Sequence, residues 1–142
     1  MIDMKVLLKD KKIFVYLYSE EIDIDNIDEL NKKIRSIFVK LIKRYHLDFF
    51  GLNRVIVYHN RHYGLVLEID KVYEPYYNKG IIDLKIIVYK NSIMYLEFDD
   101  YCFSSKPRKL IYKNNKYYLN IDEISNITKY IEYGRVIIKK NH

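Results

Sequence analysis

The apolar positions of this chain change period several times. Residues 4–8, MKVLL, and 13–19, IFVYLYS, carry alternation and β-branched content around the polar stretch KDKK, which predicts a hairpin. Beyond it, apolar residues fall at Ile27, Leu30, Ile34, Ile37, Leu41, Ile42 and Tyr45. Steps of three and four place them on one stripe of an amphipathic helix over about 26–45. Asp25 is its expected cap, with Asp28 and Glu29 in the first turn. Lys40, Lys43 and Arg44 close it, where cations suit the helix macrodipole.

After residue 53 the period becomes extended. NRVIVY and YGLVLEID flank the stretch YHNRHYG at 58–64. A two-residue turn at Asn60 and Arg61 would set His59 opposite His62 and Tyr58 opposite Tyr63. DLKIIVYK and SIMYLEFDD predict a third hairpin around Lys90 and Asn91, and KLIYK with KYYLNID a fourth around Asn114 and Asn115. Ile124, Ile127 and Ile131 mark a short helix over about 122–132, which Gly134 can end, before a last strand RVIIKK. The expected fold class is α+β, a mostly antiparallel sheet of hairpins with the long helix covering one face. Residues 1–142 read as a single compact domain, divisible into halves 1–72 and 80–142, with 71–81 and 99–108 as connections.

The composition bounds the class. Hydrophobic residues make up 49% of the 142, enough to bury a core, and no run of eighteen apolar residues suggests a membrane span. The N-terminus has no signal-peptide pattern, and Cys102 is the only cysteine, so a cytosolic location is expected. The net charge of +6 points toward an anionic partner. However, Ile, Lys, Asn and Tyr supply about half the chain, and alanine, glutamine and tryptophan are missing. An A/T-rich coding sequence gives that bias by itself, so charge bears on partners only where it clusters.

Candidate chemistry is sparse. His59 and His62 offer two nitrogens, short of the three or four ligands of a zinc site. The acidic pairs Glu20–Glu21, Asp99–Asp100 and Asp122–Glu123 are neighbours in sequence, and neighbours on a strand point to opposite faces. No P-loop, G-x-G-x-x-G, G-x-S-x-G or C-x-x-C occurs. Lys106 and Arg108 lie near Cys102 and could lower its pKa. The loop SSKPRK, 104–109, is a compact basic patch suited to phosphate. The reading therefore contains no catalytic residue, no metal and no cofactor.

Two family resemblances bear on function. IFVYLY, 13–18, followed by a helix, a strand and RHYGLVLE, 61–68, loosely resembles the RNA-recognition motif. That resemblance implies base stacking on Phe14 and Tyr63, with Arg61, Lys106 and Arg108 supplying charge. His62 stands where that family has glycine. The run LIYKNNKYYLNID…IEYGRVII, 110–138, resembles the end of the MecA-type adaptor family, regulators of competence in Gram-positive bacteria. VLLKDKKIFVYLYS, the helix and YGLVLEID are similar to that family's N-terminal half. This second resemblance implies a non-catalytic adaptor that presents substrates to a ClpC-type AAA+ unfoldase.

The sequence-based expectation is a non-enzymatic protein-binding module, an adaptor or regulator, with Tyr73, Tyr76 and Tyr77 as contact residues because tyrosine brings area at low entropic cost. RNA or single-stranded nucleic acid bound on a basic aromatic sheet face is the alternative, and an inhibitor of a host enzyme encoded by a phage is a further form of the first. The expected partner is another protein, with no membrane involved.

Overall fold

The computed structural model describes residues 4–72, 80–101, 103, 109–124 and 126–140. They group into two compact units, one of Met1–His59 with Gly64–Lys90 and one of Asn60–Tyr63 with Asn91–His142.

The first unit is a five-stranded sheet with a helix on one face. The first hairpin forms as its alternation predicts, joining β1 (Met4–Lys9) to β2 (Lys12–Tyr18). Asp10 and Lys11 both take positive φ, 52° and 64°, as the tight turn between right-twisted strands requires. β3 (Gly51–Asn60) and β4 (Gly64–Val72) follow the helix, then β5 (Ile82–Tyr89). The strand order is β1-β2-β4-β3-β5.

β5 departs from the expected third hairpin. It pairs in parallel with β3, Gly51 opposite Ile82 through Tyr58 opposite Tyr89, and the strand after it belongs to the other sheet. Pairing with β3 turns Ile82, Leu84, Ile86 and Val88 toward the core of this unit. Alternation shows that a strand has one apolar face, but not which sheet receives it.

α1 (Ile27–Tyr45) lies where its period places it. The cap is Asn26, one residue beyond the expected Asp25. Asn26 holds the extended conformation, and its side chain accepts the Glu29 N–H at 3.2 Å. His46 ends the helix in the left-handed region at φ 56°, its N–H returning to the Ile42 carbonyl. Leu30, Ile34, Ile37, Phe38 and Leu41 are buried against Val15, Leu17, Val55, Val57, Leu65, Leu67 and Ile69. Burying each such side chain contributes about 1.5–3 kcal/mol, so this seam is the main source of the unit's stability. Phe49 extends it, its ring stacked on Phe38 at 4.2 Å.

The second unit is a four-stranded antiparallel sheet of order β7-β8-β6-β9, built from β6 (Met94–Phe98), β7 (Ile111–Lys113), β8 (Lys116–Asn120) and β9 (Arg135–Ile138). The expected hairpin at Asn114 and Asn115 forms, with φ of 53° and 63° at the two turn residues. Met94, Leu96, Phe98, Phe103, Leu119 and Ile121 are buried. Phe103 meets Phe98, Tyr101 and Tyr130 edge-on.

Over the predicted helix at 122–132 the chain makes two single 3-10 turns instead, Ile121–Glu123 and Ile127–Lys129. Ile124 between them is extended, and Asn120 and Asn126 precede the two turns. β-Branched and Asn residues are weak helix formers, so the isoleucine spacing alone does not hold a helix here.

Candidate functional site

The stretch at 58–64 folds differently from a two-residue turn. β3 runs on through Asn60, and the turn is Arg61–Tyr63. Asn60 is only 2% exposed. Its Oδ1 accepts the N–H groups of His62 at 2.8 Å and Tyr63 at 3.0 Å, and its Nδ2 donates to the Ser92 carbonyl at 3.0 Å and to Asp122 Oδ1 at 3.1 Å. An asparagine can make four hydrogen bonds, and all four are made. This side-chain capture pulls His62 off the strand, so His59 and His62 are not the expected cross-strand pair. His59, at the end of β3, is half-buried, and its Nδ1 has no hydrogen-bond partner among the described residues. Tyr63 lies in the turn and not in β4, and Tyr58 stacks on its register partner Tyr89 at 5.6 Å.

Asn60, Arg61, Asn91, Ser92 and Asp122 line an open hollow of about 360 Å³. At its mouth the Arg61 Nε–H points to His62 Nε2 at 3.1 Å, while the same nitrogen lies 3.8 Å from Asp122 Oδ1. Accepting from Arg61 requires a bare Nε2 and pairing with Asp122 requires a protonated one, so the two contacts exclude each other at any instant. Both His62 and Asp122 are well exposed. Among the described residues, no three His, Cys, Asp or Glu side chains gather as a metal site requires.

The acidic pairs are held by cations. Glu20 pairs with Lys33 at 2.6 Å, Glu123 with Lys109 at 3.6 Å and Asp99 with Arg135 at 2.7 Å. A buried carboxylate that sequence reading passed over is Glu68, 3% exposed at the centre of β4, with Lys12 Nζ at 3.4 Å. The alternation of YGLVLEID does mark Glu68 as lying opposite the core side, but not as covered.

The expected contact residues fall out unevenly. Tyr73, Tyr76, Tyr77, Lys106, Arg108 and Cys102 lie outside the described residues. Phe14 is half-buried in β2 opposite Glu68, on the face away from α1 with Tyr16 and Tyr18. Burial raises the pKa of the Tyr16 hydroxyl. Tyr63 sits in the turn and is 4% exposed, so its ring is not an open stacking platform. Arg61 is exposed.

Open apolar surface of the second unit includes its sheet edges. On β7, Ile111 and Tyr112 are 46% and 60% exposed; on β9, Ile137 is 39% exposed, and Tyr133 just before it 70%. Among the described residues β7 and β9 each pair on one side only. No helix among the described residues is long and apolar enough to cross a membrane. No family model, curated protein or solved structure matches the chain.

Proposed function

We propose that this protein is a non-catalytic protein-binding module, acting as an adaptor or regulator of a larger protein machine. One observation supports the reading: among the described residues, both edges of the second sheet combine one-sided backbone pairing with large exposed apolar side chains. An edge strand of that kind accepts an added strand, the backbone supplying affinity and the flanking side chains supplying specificity. Tyr112, Tyr133 and Ile137 are the residues assigned to that contact. The resemblance to MecA-type adaptors makes a ClpC-type AAA+ unfoldase the first partner to try.

The test is titration of a purified ClpC-type unfoldase with the protein, reading its ATPase rate and complex formation by gel filtration. Binding that is lost in a Tyr112→Ser, Ile137→Lys variant supports the proposal. No binding and no change in rate removes the unfoldase form of it. Affinity capture from cells with and without nuclease then separates the classes. A nuclease-resistant protein partner lost by the same variant keeps the protein-binding reading; a catch that contains no nuclease-resistant protein partner replaces it.

A further inference from the structure

Six of the 25 Lys and Arg residues lie between Leu30 and His46, and no Asp or Glu does. The rest of the chain then holds 19 cations against 19 acids, so this one stretch accounts for the whole net charge of +6. A codon bias would spread lysine along the chain. Attraction to the helix macrodipole accounts for Lys43 and Arg44 in the last turn, but it does not reach back to Lys32, Arg35 and Lys40.

The structure places the excess on one side of α1. The apolar side is sunk in the unit's own core, and Lys32, Lys40, Lys43 and Arg44 are exposed. Lys33 pairs with Glu20, and Arg35 is engaged by Asn31 and the Ile82 carbonyl. The other four have no ion pair among the described residues. From Lys32 to Arg44 the ridge runs roughly 18 Å at the helical rise.

We infer that this face of α1 binds the phosphate backbone of duplex nucleic acid, without reading its sequence. A line of exposed cations with no acid between them in sequence complements a line of phosphates, with Glu20, Glu21 and Glu29 sharing a hollow with Lys32 at its N-terminal end. Anionic lipid is the poorer fit, because an interfacial helix inserts its apolar side and that of α1 is already buried. The site is on the first unit and is independent of the protein contact proposed for the second.

The experiment is fluorescence anisotropy with a labelled mixed-sequence DNA duplex of about 20 base pairs, at salt from about 50 to 200 mM. Four phosphate contacts predict a log–log salt slope of roughly −3.6. Lys32→Gln, Lys40→Gln, Lys43→Gln and Arg44→Gln together should weaken binding at least ~30-fold at low salt and flatten the slope. Glutamine is a good helix former, and circular dichroism checks that α1 persists. A control with Lys5→Gln, Lys9→Gln, Lys85→Gln and Lys113→Gln removes the same charge from other exposed positions and should change affinity less than ~3-fold. On the unaltered protein, the duplex should protect Lys32, Lys40 and Lys43 from acetylation, read by mass spectrometry. The inference is overturned by no duplex binding at low salt, by equal loss in the control, by unprotected helix lysines, or by helix-dependent binding to phosphatidylserine vesicles without binding to the duplex.

Discussion

Glu97 and Arg135 stand opposite each other in the register of β6 and β9, and the guanidinium gives both its Nε–H, at 3.2 Å, and its Nη2–H, at 2.7 Å, to the single oxygen Oε1. From the other flank Lys116 of β8 reaches the same oxygen at 3.4 Å. One carboxylate thus ties three adjacent strands. Burial pushes the Glu97 carboxyl up, but hydrogen bonds from Arg135, Tyr118 and Lys116 together outweigh it and hold the pKa below its ordinary value. The unfolded chain therefore binds this proton more readily than the folded one. Its stabilising contribution is complete above the unfolded value near 4.5 and disappears as pH falls through the lower folded value. Glu97→Gln should cost roughly 1 kcal/mol at pH 7, given that Arg135 is about half exposed, and progressively less in acid. Urea unfolding of both proteins from pH 7 to pH 3 measures the closing gap.

Gly64 opens β4 at φ 125°, and a Cβ there would lie 2.4 Å from the Leu17 carbonyl oxygen. Neither the backbone of β2 nor the positive φ can give way cheaply. Gly64→Ala should destabilise the protein by roughly 3 kcal/mol or more, measured as a drop in the urea midpoint at unchanged slope.

The parts of the fold that could be read from sequence are those set by local pattern. α1 follows from Leu30, Ile34, Ile37 and Leu41, and the two tight hairpins from the polar pairs Asp10–Lys11 and Asn114–Asn115. What could not be read depends on which surface a strand meets. The alternation of Ile82, Leu84, Ile86 and Val88 was plain, yet only the parallel register with β3 shows where it goes. At the turn, the pattern places Asn60 in a two-residue loop, and no local signal shows Ser92 and Asp122 closing around its amide. Charge was legible as a total, and its concentration on α1 was there to be counted. Its meaning as a surface required knowing which helix face is buried.

The packing of α1 supplies a sharp contrast between neighbouring positions. Ile34 is completely buried and Ser36, two residues on, is exposed. Ile34→Ala should cost roughly 2–5 kcal/mol through lost burial and the cavity left behind. Ser36→Ala should lie within about 0.5 kcal/mol of the parent protein, or slightly above it, since alanine is the better helix former. Equal midpoints for the two variants in thermal or urea unfolding would mean the apolar stripe is not seated on the sheet.

Asn60 gives the most discriminating prediction, because its amide both donates and accepts in a buried place. Asn60→Ala removes all four hydrogen bonds and leaves the Ser92 carbonyl and the His62 and Tyr63 N–H groups to find other partners. Losing a hydrogen bond at a buried group costs about 1–3 kcal/mol; the contact to Tyr63 is buried and those to His62 and Ser92 are partly so, and the variant should lose roughly 2 kcal/mol or more at every pH. Asn60→Asp keeps the acceptor for the two N–H groups, but sets a second carboxylate against Asp122 Oδ1 and the Ser92 carbonyl oxygen. Two like charges at that distance, one of them buried, raise the pKa of the introduced acid. A folded-state pKa above the unfolded one makes the aspartate variant most stable in acid, where it is protonated and can donate to Asp122 or to Ser92. That stability is lost as pH rises through the raised value. Unfolding midpoints of the two variants at pH 4.5 and pH 8 should therefore diverge, with the aspartate form recovering toward the parent protein at the lower pH and the alanine form not. Parallel curves would show that Asn60 is not buried against Asp122 as the geometry requires.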